Sequence, residues 1–487
     1  MFRFPKRARG SVRNFLDTGL TSAVAVSVAT SALFLVPISA ASGSGCTTQE
    51  HTDTVAGKSY KRIEFKSGSC DWTAPTGISS VQVMVVAGGG SGGAADWAGG
   101  GGAGGVIVAD SYSVTGGSSY SVVVGEGGAP AGTVSRDGND GENSSFDGKV
   151  AIGGGGGAGY AWENVNFDGV GRPGGSGGGS AEEGDGGAVP QGGASLQTNP
   201  AGFTAHYGNK GGDSGNTSGQ QAGAGGGGAG GPGGDVPSDS DPNNRKPGNG
   251  GDGVSIQIAD QTYAVAAGGG GASKGIKGVG GEVNSSKLGG DGGQVNPGIA
   301  PGNGAENTGS GGGGSMSSSP APAGESTPGL SGAGGSGIVV LAYQWDVPDL
   351  VTGLSASTRA LDSGAGSSST TLSWDSQSAS PSVTSHIIQQ STDGNTWVNS
   401  TTSSTSLTQA VVTGLDDDLT YSFRVKATNS VGDSPNWAET RSVAVSKEDY
   451  ALDFDANTDL QVSASVVPTS NYTVEAWIKP LAGVGNG

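Results

Sequence analysis

Hydrophobic residues in this sequence fall into short runs separated by polar or glycine-rich stretches. Four runs alternate apolar and polar positions with the period of two that is typical of β-strands. They are residues 81–87, 120–124, 254–258 and 263–267. Because the turn Ala259-Asp260-Gln261 separates the last two runs, we expect them to pair, and the apolar stretch 338–343 predicts a further strand.

Glycine dominates the stretches between these strands. Between Gly88 and Gly337, 83 of 250 residues are glycine. Runs of four and five glycines break the strict G-X-Y period and exclude collagen. Two interpretations stay open: a flexible linker, or a bundle of extended three-fold helices whose backbones hydrogen-bond to one another because no Cβ keeps them apart. The strands that return at 254–267 and 338–343 favour the ordered bundle.

Length and composition limit the number of domains, and the strand patterns above indicate the fold class. The chain has 487 residues, of which 33% are apolar and 6% aromatic. At roughly 100–200 residues per domain this length predicts about three domains, and the small apolar fraction must be concentrated in parts of the chain. We predict an all-β protein made of β-sandwich modules in tandem, the first with polyglycine-rich helical insertions or disorder.

The N-terminus has the features of a secretory signal peptide (1–41). A basic region precedes the apolar stretch 20–38, and Ser39-Ala40-Ala41 is a suitable cleavage site. An uncleaved membrane anchor is the alternative, but Pro37 and the small residues after it favour cleavage. We therefore expect a secreted or cell-surface protein that is not embedded in a membrane after cleavage.

Cys46 and Cys70 are the two cysteines of the chain. An even pair in an extracellular protein indicates one disulfide, and the C-x-x-C spacing of a metal or redox pair is missing. We expect the bridge to stabilise the fold by roughly 3 kcal/mol by closing a loop of about 25 residues. It would define a short Cys-bridged lead-in (42–75) before a glycine-rich domain with β-strands (76–345).

The net charge and the lack of recognisable catalytic motifs limit the functions that we expect. A formal net charge of −19 argues against nucleic acid as a partner, because an acidic chain is repelled by phosphate backbones. His51, His206 and His386 form no recognisable Ser/His/Asp set, and Gly-x-Gly-x-x-Gly matches are expected by chance at this glycine content. We expect no catalytic residues, no metal site, no cofactor and no enzymatic activity.

Aromatic residues that stand alone among the glycines are the candidate ligand contacts. They are Trp97, Trp162, Phe203 and Tyr207. Exposed aromatic rings on loops can stack on sugars or on partner proteins. The alternative is structural, in which these rings cap the ends of glycine helices.

The segment from about 75 to 345 resembles the glycine-rich domain of many bacterial surface and secreted proteins. It is more distantly similar to the extracellular part of anaplastic lymphoma kinase and to phage tail-tip adhesins. The matching pieces are 78–86, 99–108, 115–126, 263–268 and 334–343. The resemblance implies sheets decorated by packed polyglycine helices, and binding or scaffolding rather than catalysis.

Two further segments resemble known modules. Residues 348–446 resemble a fibronectin type III domain, with Trp374 in the core and Leu415, six residues before Tyr421, as in the tyrosine corner of such sandwiches. Residues 449–487 resemble the truncated start of a laminin-G-like, concanavalin A-like jelly roll. About a quarter of such a domain is present, so we expect the chain to be a fragment of a longer protein.

These features lead to one functional expectation and one alternative. We expect a non-catalytic, extracellular bacterial protein that acts in surface adhesion, in binding glycans or surface proteins, or as a scaffold. In the alternative, these modules are accessories of a secreted polysaccharide-degrading enzyme whose catalytic domain lies beyond residue 487. A passive wall or matrix protein with no specific ligand is a third hypothesis.

Overall fold

Every regular element in the described part of the chain is a β-strand, which confirms the all-β fold class. The structure is a computed structural model. It describes residues 45–132, 136–159, 169–182, 189–215, 221–237, 246–295, 297–316, 329–357, 360–361, 367–416, 419–440 and 443–444. The predicted signal peptide, the laminin-G-like segment and Trp162 lie outside these residues.

The described residues of the glycine-rich domain contain thirteen strands, and each strand predicted from alternation is present. The strands are β1 (Thr47–Val55), β2 (Lys58–Thr73), β3 (Ser80–Val86), β4 (Val106–Ser113), β5 (Ser119–Val124), β6 (Ser144–Phe146), β7 (Lys149–Ala151), β8 (Ala205–Tyr207), β9 (Val254–Ile258), β10 (Gln261–Val265), β11 (Glu282–Val283), β12 (Ser286–Lys287) and β13 (Ile338–Gln344). Nine of them form one sheet in the order β7-β6-β5-β2-β13-β3-β4-β8, with β1 paired to β2.

Both faces of the central strands are buried, which explains their nearly continuous apolar sequence. On one face Val83 and Leu341 pack in a cluster with Phe146 of β6, so the sheet curls over its own β5–β7 arm. On the other face Met84 and Val340 pack against the hairpin β9–β10. Successive residues therefore enter different cores, as the alternation of side chains in a strand requires.

Residues of the predicted lead-in (42–75) contribute strands to the main sheet. Strand β2 pairs with β13 through Tyr60–Phe65 and with β5 through Gly68–Thr73, so it lies inside the sheet. The predicted disulfide is confirmed: Cys46 and Cys70 are bonded, with their Cα atoms 5.7 Å apart. Since Cys70 belongs to the main apolar cluster, the bridge ties the start of β1 to the core.

The glycine runs form an ordered bundle rather than a linker. Its central segment (98–105) is fully buried. The segment donates N–H groups to three neighbours in rotation: Gly99, Gly102 and Gly105 to 152–158, Gly100 and Ala103 to 224–227, and Ala98, Gly101 and Gly104 to 309–315. Bonding to one neighbour at every third residue is the signature of an extended helix with three residues per turn.

The carbonyl groups of the central segment complete the pattern with three different neighbours. They accept hydrogen bonds from Ala87, Gly90 and Gly93, from Ser176 and Gly179, and from Gly269 and Ala272. Six segments therefore surround the central one. The inner backbone is satisfied by other backbone groups, as a buried polar chain requires.

The close approach of these segments leaves no room for a side chain at the glycine positions. A Cβ at Gly101 would stand 2.1 Å from the carbonyl oxygen of Gly90, and one at Gly100 would stand 2.1 Å from that of Gly269. Both distances are far below van der Waals contact. Glycine is therefore needed here for proximity rather than for a special φ.

Asp and Asn side chains finish the hydrogen bonding at the edge of the bundle. Asp137, Asp140 and Asn143 accept from the N–H groups of Gly159, Gly156 and Gly153, at distances of 2.8–2.9 Å. In both segments the bonded residues are three apart, which matches the period of the three-fold helix. Carboxylate and amide oxygens thus replace the missing outer neighbour.

A charged cluster joins the β1–β2 hairpin to β10. The Arg62 guanidinium lies 2.6 Å from Asp53 and 2.5 Å from Glu64, and the Tyr263 hydroxyl donates to the same Glu64 oxygen at 2.5 Å. Burial acts to raise the pKa of Glu64, but the Tyr263 hydrogen bond and the Lys66 and Arg62 charges outweigh it and lower this pKa. Glu64 is therefore stabilised as an anion in the folded protein.

The second domain is a two-sheet fibronectin-like sandwich. Its strands are β14 (Ser355–Ala356), β15 (Ala360–Leu361), β16 (Ser367–Ser373), β17 (Ser385–Ser391), β18 (Val398–Asn399), β19 (Thr402–Thr405), β20 (Gln409–Asp416), β21 (Thr420–Thr428), β22 (Ala438–Glu439) and β23 (Val443–Ala444). Trp374 and Leu415 lie in its core, as predicted. The Tyr421 hydroxyl accepts from the Asp416 N–H at 3.0 Å, which confirms the tyrosine corner.

We expect Gly101→Ala to destabilise the glycine-rich domain by about 3 kcal/mol, because the new methyl group overlaps the Gly90 carbonyl and forces the segments apart. Gly275→Ala is the matched control, since that glycine is exposed and a Cβ there meets nothing within 4 Å. Denaturant unfolding of both variants measures the difference. Equal stability of the two variants would contradict the packed bundle.

We expect Glu64→Gln to destabilise the protein by about 2 kcal/mol at neutral pH, because Arg62 loses a charged partner. The folded pKa of Glu64 is lowered, so its contribution exists above the ordinary carboxyl pKa and is lost as the pH falls through the folded value. Unfolding measured across the acid range should show the variant and the wild type converging. The exposed Glu282→Gln serves as the control, and a pH-independent difference would disprove the account.

Candidate binding surfaces

The predicted aromatic contacts have different environments. Phe203 is 7% exposed and packs in the main core, with its ring 5.5 Å from that of Tyr112. Its ring is therefore not offered at the surface, because it helps to close the curled sheet. Tyr207 is half-buried on strand β8, at the edge of the second apolar cluster.

Trp97 lies in a turn of the glycine bundle. It is half-buried, has a φ of +52°, and packs against Ala158 and Ala181 at the ends of two glycine segments. Its backbone N–H donates to the sulfur of Met316 at 3.1 Å. This position agrees with the capping interpretation, whereas a ligand contact by Trp97 stays a prediction.

The junction between the two domains is held by hydrogen bonds on both sides of the connecting chain. After β13, the Trp345 N–H donates to the Ser59 carbonyl at 2.8 Å, and the Asp346 N–H donates to Ser380 at 3.1 Å. The buried Asn429 side chain donates to the Asp346 and Pro381 carbonyls at 2.8 and 2.9 Å.

Two further contacts join the domains, one of them away from the connecting chain. The Ser382 N–H donates to the Gly77 carbonyl at 3.1 Å. Lys58 and Asp349 form an ion pair at 2.5 Å, and this hydrogen bond raises the pKa of Lys58. The fibronectin-like domain is thus attached at more than one point.

A groove of about 250 Å³ opens beside this junction. Its walls come from both domains, with polar groups of Tyr60, Gln82, Asp110, Gln344 and Ser380 around it. Burial, and secondly the Glu50 charge, raise the pKa of the adjoining Tyr343 to about 12, so this hydroxyl stays protonated at neutral pH. Among the described residues, no group of three or more His, Cys, Asp or Glu side chains is placed to hold a metal ion.

The outward face of strand β21 carries an alternating stack of aromatic and cationic side chains. We call Trp397, Arg424, Trp437 and Lys426 the cation–π ladder. The Arg424 guanidinium lies 4.3 Å from the Trp397 ring centre and 4.2 Å from that of Trp437. The Lys426 ammonium lies 5.1 Å from the Trp437 ring centre.

Sequence reasoning did not identify the cation–π ladder as a site. It gave no role to Trp397 or Trp437. The available signal was two tryptophans at polar, loop-flanked positions of a small domain that already has Trp374 in its core. The register that brings them over β21 comes from strand pairing and is not readable from composition.

Two protein families match this chain. Residues 65–344 match the glycine-rich domain family, and residues 359–443 match the fibronectin type III domain family. The first match begins within β2 and ends at the last residue of β13. It therefore spans most of the curled sheet together with the glycine bundle.

Other comparisons add little. No curated protein matches the sequence. Among solved structures, titin domains A168–A170 are similar at 21% identity and a TM-score of 0.18, over 23% of this chain and 37% of that chain. Because the first family match covers more than half of the sequence, the chain belongs to the glycine-rich domain family, and a fibronectin type III domain follows its glycine bundle.

Proposed function

We propose that this chain is a non-catalytic, extracellular module that acts in adhesion or as a scaffold, by binding glycans or surface proteins. The glycine bundle would serve as a stiff block, since its inner polar groups are satisfied by its own backbone. The fibronectin type III domain would present the contact surface.

The junction is the observation that supports this proposal best. The connecting chain is fastened at Trp345 and Asp349, and the fibronectin type III domain is fastened separately where Ser382 donates to the Gly77 carbonyl. A domain held at several points keeps one orientation, whereas a tethered domain samples many. A fixed orientation suits a module that must display a binding surface at a set distance and angle.

The net charge is consistent with the same proposal. The acidic net charge of −19 argues against nucleic acid partners. Among the described residues, none lies in a helix long and apolar enough to cross a membrane.

A binding screen tests the proposal. Binding of the full chain is measured on a glycan array and against extracts of surface proteins. Hydrolysis is measured by incubating the chain with polysaccharides and assaying for new reducing ends. We expect retention of at least one ligand class and no sugar release. A flat response in both screens would favour a passive matrix protein, and released sugar would contradict the non-catalytic assignment.

We expect Gly77→Ala to loosen the junction, because a Cβ there would stand 2.8 Å from the Pro381 side chain. Small-angle scattering should show a larger radius of gyration, and protease should cut the connecting chain faster. Gly57→Ala is the control: Gly77 and Gly57 have φ of +86° and +79°, so both variants carry a similar backbone strain of about 1 kcal/mol, but Gly57 has no neighbour within 4 Å. Identical scattering from the two variants would contradict a fixed junction.

A further inference from the structure

The cation–π ladder holds two positive charges in place on an otherwise acidic protein. Arg424 is sandwiched between Trp397 and Trp437, and its Nε and Nη2 donate to the Gln389 side chain at 2.9 and 2.6 Å. Long cationic side chains normally lose rotamer freedom on binding a ligand. Here that freedom is already restricted, so binding would cost less.

Both cations keep unused donors. Arg424 Nη1 and the Lys426 ammonium have no hydrogen-bond acceptor among the described residues, and neither cation forms an ion pair with a described carboxylate. Glu439 is the register neighbour of Arg424 on β22, is exposed, and makes no ion pair with it. The two donors can therefore serve an external anion.

The aromatic part of the cation–π ladder is also available. Trp397 is only half-buried, and one face of its ring lies against Arg424. Its described contacts place no second ring or cation on the opposite face. An indole with one free face is a stacking platform for the apolar side of a sugar ring.

The spacing suits a chain with separated charges. Arg424 and Lys426 are two residues apart on one strand, so their Cα atoms are about 6.6 Å apart, on the scale of one sugar unit. A polysaccharide with one carboxylate on each sugar fits both the spaced cations and the Trp397 ring. Guanidinium and ammonium groups donate strongly to carboxylate oxygens, and the sugar ring can stack on the indole.

We propose that the cation–π ladder is a binding site for a carboxylated polysaccharide, a polyuronate. Carboxylates accept hydrogen bonds from Arg424 Nη1 and the Lys426 ammonium, and one sugar ring stacks on Trp397. This inference rests on the proposed binding function and names its ligand class.

Polygalacturonate is the probe, with neutral dextran as its uncharged counterpart, and binding to the full chain is measured by titration calorimetry at low and high salt. We expect polygalacturonate to bind at low salt and weaken at high salt, and dextran not to bind. Lys426→Gln and Trp397→Ala should each weaken binding roughly tenfold. Lys274→Gln removes the same charge from an exposed loop of the glycine-rich domain and should bind as the wild type does.

Thermal unfolding of Lys426→Gln should match the wild type, because this side chain lies on the outer face of the sheet; this separates lost binding from lost structure. Wild-type affinity in both ladder variants, or equal binding of dextran, would overturn the proposal. If the wild type does not bind polygalacturonate but binds another ligand in the glycan and surface-protein screen, the polyuronate site is disproved and the proposed adhesion function is not. If neither probe nor screen shows binding, both fail.

Discussion

The backbone hydrogen bond between neighbouring glycine segments is the interaction on which the rest of this structure depends. Fixing each residue costs about 1–2 kcal/mol of backbone entropy, and more for glycine, whereas one hydrogen bond returns only about 0.5–1.5 kcal/mol net. The segment 98–105 offsets this cost because its N–H groups and its carbonyls bond to six different neighbours. A single pair of glycine chains would not be stable, so order in this region is a property of the bundle as a whole.

The bundle constrains everything attached to it. Strands β3, β4 and β13 run directly into glycine segments at Ala87, Gly105 and Gly337, so the sheet and the bundle share one hydrogen-bond network. The sheet then supplies the strand end at Gln344 and the loop at Gly77, to which the fibronectin type III domain is fastened. The glycine bundle therefore positions the sheet, and the sheet positions the fibronectin type III domain with its cation–π ladder.

Strand positions were predictable because apolar alternation reports burial directly. The runs at 81–87 and 254–267, Trp374 in the core and the Cys46–Cys70 bridge follow from local patterns and are present. The place of the lead-in strand β2 in the main sheet was not predictable, because nothing local shows that it pairs with the distant strand β13. The role of Phe203 depended on the same long-range closure, and the cation–π ladder depends on strand register. The three-residue spacing of Asp137, Asp140 and Asn143 was a readable signal that sequence reasoning did not use, as were the two tryptophans of the cation–π ladder.

Amide hydrogen exchange along the central glycine segment (98–105) tests the account most directly. Exchange followed by mass spectrometry or NMR on the full chain would report whether these N–H groups are bonded. The account predicts exchange as slow as that of the buried strands β3 and β13. Exchange at the rate of an unstructured glycine chain, with the fibronectin type III domain still protected, would show that the bundle does not exist in solution.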